Sequence, residues 1–376
     1  MKNITIRSSM SCLRSVTLVV LVCLLASCER LLIPQDSAVT NEVVFDYLAR
    51  TVEEKYTFFE FKNINWSSVQ ERYRPRALQA KNDQELFTVL ASMLNELQDD
   101  HTNLISPFNI SRSRPFFSVR TNFDDDILAQ NYLKNQEWVT GALRNTIIER
   151  SGQKVGYIRY ASFSSALDTF AIHTVFRRFR AENVVGIIID IRSNGGGAVA
   201  NALRLASYIV QGESQVFVEM QKSGRGARDF TTPTHVIVKP PKDVPVWQDK
   251  PIAVLIDRES YSASSMFAAI MKSPECRHVR LVGDHTGGGA GLPINFELPN
   301  GWTFRFSGTK LLIPAGRVTK EQAIAVAPTA NHEIDWSLGY NFEAGVPVDI
   351  RVLLDVTDRT KDTIIERAIR WITTGA

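Results

Sequence analysis

PIAVLIDRESYSASSMFAAI, Pro251–Ile270, passes from an apolar run into a stretch that holds four serines: Ser260, Ser262, Ser264 and Ser265. The opening PIAVLID suits a strand covered on both faces, and the closing run suits a helix. A helix start uses one serine as its N-cap. Four at a strand-to-helix turn suggest that one of them is a nucleophile. Ser262 falls in the first turn if the helix begins near Ser260. There a developing alkoxide feels the positive end of the helix dipole, and the N–H of Ala263 points the same way. This is the logic of a nucleophile elbow, although G-x-S-x-G itself is absent. The bland alternative is that the serines are caps and small packing residues.

The same geometry occurs upstream. VVGIIIDIR (Val184–Arg192) is another buried strand, and SNGGGA leads from it into AVANALRLASYIV. Before it stand KVGYIRY, a strand, and SALDTFAIHTVFRRF, an amphipathic helix. Strand, helix, strand, helix argues for an α/β protein with a parallel sheet and right-handed crossovers. The RSNGGG turn directs backbone N–H groups toward one point, which suits a phosphate or the oxyanion of an acyl-transfer intermediate. It matches neither G-x-G-x-x-G nor the P-loop, and it has no P-loop lysine. Gly195–Gly197 could equally serve only to permit a tight turn.

Working outward, residues 42–104 read as a helical N-terminal segment, with Asp83 as a cap, closing on LQDDHTNL. Residues 105–150 form a small mixed segment, and 212–249 read as a proline-punctuated connector. INFELP and WTFRFSG flank Asn300-Gly301, a hairpin turn. The chain ends in VPVDIRVLLDV and a helix. His101 follows two acids, which suggest a polar, partly exposed site where it could serve as general base; His173, His235, His278, His285 and His332 lack such a setting, and the bland alternative for any lone histidine is a surface or core residue. There is no H-E-x-x-H and no C-x-x-C, so neither a metal nor another cofactor is expected.

The chain has 376 residues, with 43 Lys+Arg against 40 Asp+Glu, which is no nucleic-acid footprint. Lys2, Arg7 and Arg14 precede an apolar run, Val16–Ser27, too short to span a bilayer comfortably. Residues 1–27 therefore read as a signal peptide. Leu25-Ala26-Ser27-Cys28 resembles the bacterial lipobox, which implies lipidation at Cys28, a tether over 28–41, and a membrane-anchored lipoprotein of the bacterial cell envelope. Of the other cysteines, Cys12 and Cys23 leave with the signal, and Cys276 alone makes no intramolecular disulfide.

In their order along the chain, the Asp-His segment, DIRSNGGG, DRESYSAS, HTGGGAG, LPNG and FEAGVPVDI resemble the tail-specific, or C-terminal processing, serine peptidases. The tricorn-like branch is the closer match, over about residues 42–355. The resemblance implies a crotonase-like/ClpP-like core over 151–376. It implies Ser262 as nucleophile, the middle serine of Ser260-Tyr261-Ser262-Ala263-Ser264, with Ala263 N–H and Gly196 as oxyanion donors. The processing peptidases carry a lysine base in T-x-G-K-G. Here Thr286-Gly287-Gly288-Gly289-Ala290 puts Gly289 in that place, and Lys310 has no family warrant as its substitute. The tricorn-like branch implies instead His101 as base and Glu343 as the acid that orients it. Asp100 stands where tricorn has a relaying serine, so Asp100 could share that role. No PDZ domain is apparent. The expectation is peptide or unfolded-protein cleavage through an acyl-enzyme. The alternatives are an inactive peptide-binding lipoprotein of the same fold, and a crotonase-type acyl-CoA enzyme, against which export argues.

Overall fold

The computed structural model describes residues 39–376 apart from 114–118, 120, 121, 135 and 245. The signal peptide, most of the tether and Cys28 therefore lie outside the described residues. Among the described residues, no helix is long and apolar enough to cross a membrane.

Two sheets organise the chain. The first contains β2 (Trp138–Thr140), β3 (Leu143–Arg150), β4 (Gln153–Tyr160), β5 (Gly186–Asp190), β8 (Ile252–Ile256), β9 (Val279–Gly283) and β13 (Ile350–Arg351), in the order β13-β9-β8-β5-β4-β3-β2. From β13 to β4 the strands are parallel, as the strand–helix alternation predicts. Every residue of β5 and β8 is buried. Successive side chains point to opposite faces. Ile187, Ile189, Ile252, Val254 and Ile256 pack with Phe176, Phe179 and Phe267 on one face. Ile188, Ala253 and Leu255 pack with Ile364, Ile365 and Ile369 on the other. Both faces are covered, which is why these strands read as unbroken apolar runs.

The second sheet contains β1 (Asn103–Ile105), β6 (Ser214–Gln221), β7 (Thr234–Val238), β10 (Gly291–Glu297), β11 (Thr303–Pro314) and β12 (Gly339–Asn341). Strand β11 is its spine and pairs with β1, β10, β6 and β12. Helices α1 (Asn41–Lys55), α2 (Trp66–Leu78) and α3 (Asp83–Asn95) form the expected front segment. The α3 cap is Asn82, whose side chain accepts from Glu85 N, and not Asp83, which is already helical.

Two boundaries drawn from sequence differ from the structure. A division at 150 runs through the β3–β4 hairpin, which pairs over eight positions from Leu143↔Tyr160 to Arg150↔Gln153. Residues 138–150 thus extend the core sheet. The 212–249 connector contains β6 and β7, which pair antiparallel. Its prolines flank β7 rather than interrupt it, as suits a strand with one unpaired edge.

The carboxyl end of β5 is fixed by a buried ionic cluster. Arg192 lies fully inside, its Nη2 2.5 Å from Asp190 and its Nη1 2.8 Å from Asp362. Asp362 also caps helix α7 (Thr363–Thr374) on the opposite layer. The RSNGGG turn therefore starts from a backbone held on both sides.

Candidate active site

Three turns converge at the carboxyl ends of β5, β8 and β9. In the first, the Asp257 carboxylate accepts from the N–H groups of Glu259 (3.1 Å), Ser260 (3.0 Å) and Ser193 (2.9 Å). Ser260 Oγ donates to the Ile191 carbonyl at 2.9 Å. Ser265 Oγ bonds the Ser260 carbonyl at 3.0 Å and Thr286 Oγ1 at 2.9 Å. Ser260, Ser264 and Ser265 are all fully buried, so the bland reading holds for them. Ser262 differs. It stands half-buried at the N-cap of helix α6 (Ala263–Ile270), with φ 55° and ψ −120° and no capping bond from its side chain. That backbone costs a non-glycine residue ~1–3 kcal/mol, and strain of this kind gathers at functional sites.

The second turn follows β5. Asn194 O accepts from Tyr261 N at 3.1 Å, which ties the two turns together. Gly196 has φ +97°, and a Cβ there would lie 2.8 Å from Ser262 Cβ and 2.9 Å from Ala263 N. Glycine keeps the space before the Ala263 N–H open. As the first residue of its helix, Ala263 has no intrahelical acceptor for that N–H. The expectation for Gly196 as a donor needs correction. Its own N–H donates to Asn194 Oδ1 at 3.0 Å, in an Asx turn that already occupies it.

The third turn, 286–290, closes over both. Gly288 O accepts from Ser262 N at 2.9 Å, and Gly289 N donates to Glu343 O at 3.1 Å. Gly289 has φ +80°, and a Cβ on it would fall 2.6 Å from the Tyr261 ring. The place of the family lysine is thus filled by Tyr261. Lys310 is elsewhere, paired with Asp335 and 3.9 Å from the centre of the Phe230 ring.

His101 arrives from the front segment. Helix α3 ends, Gln98 takes φ +46°, and Asp99–Thr102 makes a turn into β1. The Asn103↔Arg305 register against β11 sets its position. His101 Nε2 lies 3.0 Å from Ser262 Oγ, 161 residues distant in the chain. The ring packs 5.0 Å from that of Tyr261 and is 8% exposed. Burial holds the imidazole below the ordinary histidine range; Asp99 opposes this, and Arg305 and Lys62 reinforce it. A neutral imidazole at neutral pH is the form a general base needs.

The acids are arranged differently from the expectation. Glu343 makes no hydrogen bond to His101, whose Nδ1 has no partner among the described residues. Glu343 Oε1 instead accepts from Lys62 Nζ at 2.8 Å. Burial pushes the Glu343 carboxyl up to about 7, Lys62 opposing and Asp99 adding to the rise. Asp99 is also buried, yet Lys62 and His101 bring it below the usual carboxylate range. Two carboxyl groups near one ammonium do not ionise alike, and here Asp99 carries the charge. Its Oδ1 accepts the His101 backbone N–H at 2.9 Å. Asp100 lines a cleft of about 290 Å³ with Phe61, Lys62, Arg258, Tyr261 and Glu343.

Sequence reasoning missed Asp99 and Lys62. Asp99 belongs to the LQDDHT motif, but nothing there separates the two aspartates. Lys62 sits among aromatics in FFEFKN and carries no motif. Among the described residues no cluster of His, Cys, Asp and Glu could hold a metal ion. The assembled parts are a hydroxyl, a neutral imidazole on it, and a helix-start N–H that has no intrahelical acceptor and no side chain from Gly196 in front of it. That set suits nucleophilic acyl transfer.

Comparisons with known proteins point the same way. Peptidase family S41 matches residues 154–331, and the Tricorn protease C1 domain matches residues 38–95. The carboxy-terminal processing protease CtpB of Bacillus subtilis is 26% identical over 174 residues, which cover 46% of this chain and 33% of that protein. The matched stretch thus spans about a third of that relative's length. A crystal structure of a proposed peptidase from Parabacteroides merdae is 33% identical, with TM-score 0.76, covering 90% of this chain and 98% of that one. The photosystem II D1 C-terminal processing protease, 15% identical with TM-score 0.51, covers 90% of this chain and 98% of its own and shares the fold.

Proposed function

The chain belongs to peptidase family S41, and from that premise we propose that it is a serine peptidase working through an acyl-enzyme on Ser262. The single observation that carries this reading is the 3.0 Å approach of His101 Nε2 to Ser262 Oγ. Ser262 attacks the scissile carbonyl while His101 takes its proton. The tetrahedral oxyanion meets the Ala263 N–H at the helix start. His101 then protonates the leaving amine, and later activates the water that releases the acyl group. The charge on Asp99 favours the imidazolium formed on the way. Glu343 acts at a distance, through Lys62. The substrates are peptides or unfolded protein segments. The sequence from Lys2 to Cys28 supports export and a lipid anchor in a bacterial envelope; Cys28→Ser should then shift the protein from the membrane to the soluble fraction.

The test is digestion of an unstructured peptide library by the purified protein and by Ser262→Ala. Cleavage by the first, reduced at least ~10³-fold in the second, is the expected result. No cleavage by either would leave the inactive peptide-binding lipoprotein.

A further inference from the structure

Lys62 is 281 residues from Glu343 and belongs to the loop between α1 and α2, within the Tricorn C1 match but outside the sequence motifs quoted above. Its ammonium nevertheless lies at the centre of the buried polar groups behind His101. It donates to Glu343 Oε1 at 2.8 Å, to Gln98 O at 2.9 Å and to Leu97 O at 3.4 Å. The Leu97 carbonyl also accepts from Tyr56 Oη at 3.1 Å. Leu97 and Gln98 form the start of the turn that carries Asp99 and His101, and Gln98 holds a left-handed backbone with φ +46°. Three acceptors on two separate chain segments are thus joined by one cation whose side chain is 14% exposed. The rings of Tyr56 and Phe58 lie 5.9 and 5.4 Å from it.

We propose that Lys62 is a positioning residue for the reaction: it clamps the 97–98 turn to Glu343, and so sets where His101 stands against Ser262 and which charges surround the imidazole. This rests on the peptidase reading above. The groups facing His101 are Asp99 on its own turn, Arg305 from β11, Lys62 from the front loop, and the Tyr261 ring beside Ser262. Those facing Lys62 are Glu343, Asp99 and Asp100. With Lys62 present, a proton on His101 is repelled by two cations and held by one carboxylate. Without it, Glu343 is pushed further up, the Asp99 carboxylate still accepts the His101 N–H, and one of the two cations that repel a proton on the imidazole is gone. Loss of Lys62 therefore raises the pH below which the base is blocked.

The experiment follows the rate of Ser262 modification by a diphenyl phosphonate peptide probe between pH 5 and 9. It compares wild type with Lys62→Met, Lys62→Arg and the double variant Lys62→Met/Glu343→Leu. The double variant replaces the Lys62–Glu343 pair by apolar groups and leaves no charge at either position, so it reports even if the single variant is poorly folded. Lys62→Met and the double variant should react ~10–100-fold more slowly at pH 7. Their acid limb should move up by about one pH unit. Lys62→Arg should keep the wild-type limb, since it keeps the charge. A uniform loss at every pH, with the limb unmoved in both Met-bearing proteins, would overturn the proposal, as would wild-type rates in them. A wild type that never labels at Ser262 would instead overturn the peptidase reading beneath it.

Discussion

Replacing His101 by alanine is expected to reduce peptide turnover by three to four powers of ten or more, and adding Ser262→Ala to it should cost almost nothing further. On the proposed mechanism the two side chains act as one device. Ser262 Oγ is a poor nucleophile until a base accepts its proton, and His101 Nε2 is the group within hydrogen-bond reach, at 3.0 Å. Remove either and the same step fails. Independent contributions would instead multiply. Turnover by the two single variants and the double, measured on one peptide, distinguishes these cases. Thermal midpoints complete the test, because Ser262 occupies a strained backbone and its replacement leaves that strain in place. Equal residual rates in all three variants are the expected result. A double variant far slower than both singles would mean that imidazole and hydroxyl serve different steps.

The second large effect concerns a glycine. Gly196→Ala should lower kcat by at least ~10²–10³-fold, the scale seen when an oxyanion site is lost. Two physical causes act together. The φ of +97° is unfavourable for any L side chain, and the new Cβ would meet Tyr261 O at 2.6 Å, Ser262 Cβ at 2.8 Å and Ala263 N at 2.9 Å. These are mostly backbone atoms of the nucleophile turn, which have nowhere to move. The methyl would occupy the place where the developing oxyanion meets the Ala263 N–H. Gly195→Ala is the matched control. No atom lies within 4 Å of its Cβ position and its φ is ordinary, so activity within a few-fold of wild type is expected. If Gly195→Ala proves the more damaging of the two, the oxyanion site has been placed on the wrong side of the turn.

How far the sequence revealed this arrangement depends on the range of the interactions. The buried strands GIIID and IAVLI were readable because burial on both faces leaves a local, one-dimensional signature. The two turns after them were readable for the same reason: their glycines and serines are each adjacent in the chain to the strand they terminate. His101 was legible from the two acids before it and then through resemblance, since a lone histidine has no periodic signal. Its meeting with Ser262 depends on β1 pairing with the far end of β11. Lys62 had no signal at all, because its role exists only once the 56–65 loop, the 97–98 turn and the 342–344 segment are packed together. The resemblance implied Glu343 as the orienting acid, with Asp100 able to share the role; the Glu343 carboxylate bonds Lys62 instead of His101, because burial and competing cations decide which group it bonds. The Gly196 N–H illustrates the same limit at shorter range. An Asn two residues earlier can close an Asx turn on it, and here it does. Strands β6 and β7 were hidden by prolines, which mark an edge as readily as a loop.

A consequence of this layout is that neither matched region holds a complete site. Ser262 lies within the S41 match at 154–331, Lys62 within the Tricorn C1 match at 38–95, and His101 and Glu343 outside both. On the proposed mechanism the front segment is part of the chemistry and more than a cover for the sheet.

The most direct test of the central claim, that an imidazole from the front segment activates the hydroxyl at the start of α6, is covalent trapping. The intact protein is treated with the phosphonate probe, the adduct is located by mass spectrometry, and the rate is followed against pH. One adduct is expected, on Ser262. Its rate should rise through an acid limb below the ~6.5 of an unperturbed histidine, because burial depresses the His101 proton affinity. In His101→Ala the rate and its acid limb should both be lost. An adduct on another residue, or a His101→Ala protein that labels Ser262 at the wild-type rate, would contradict it.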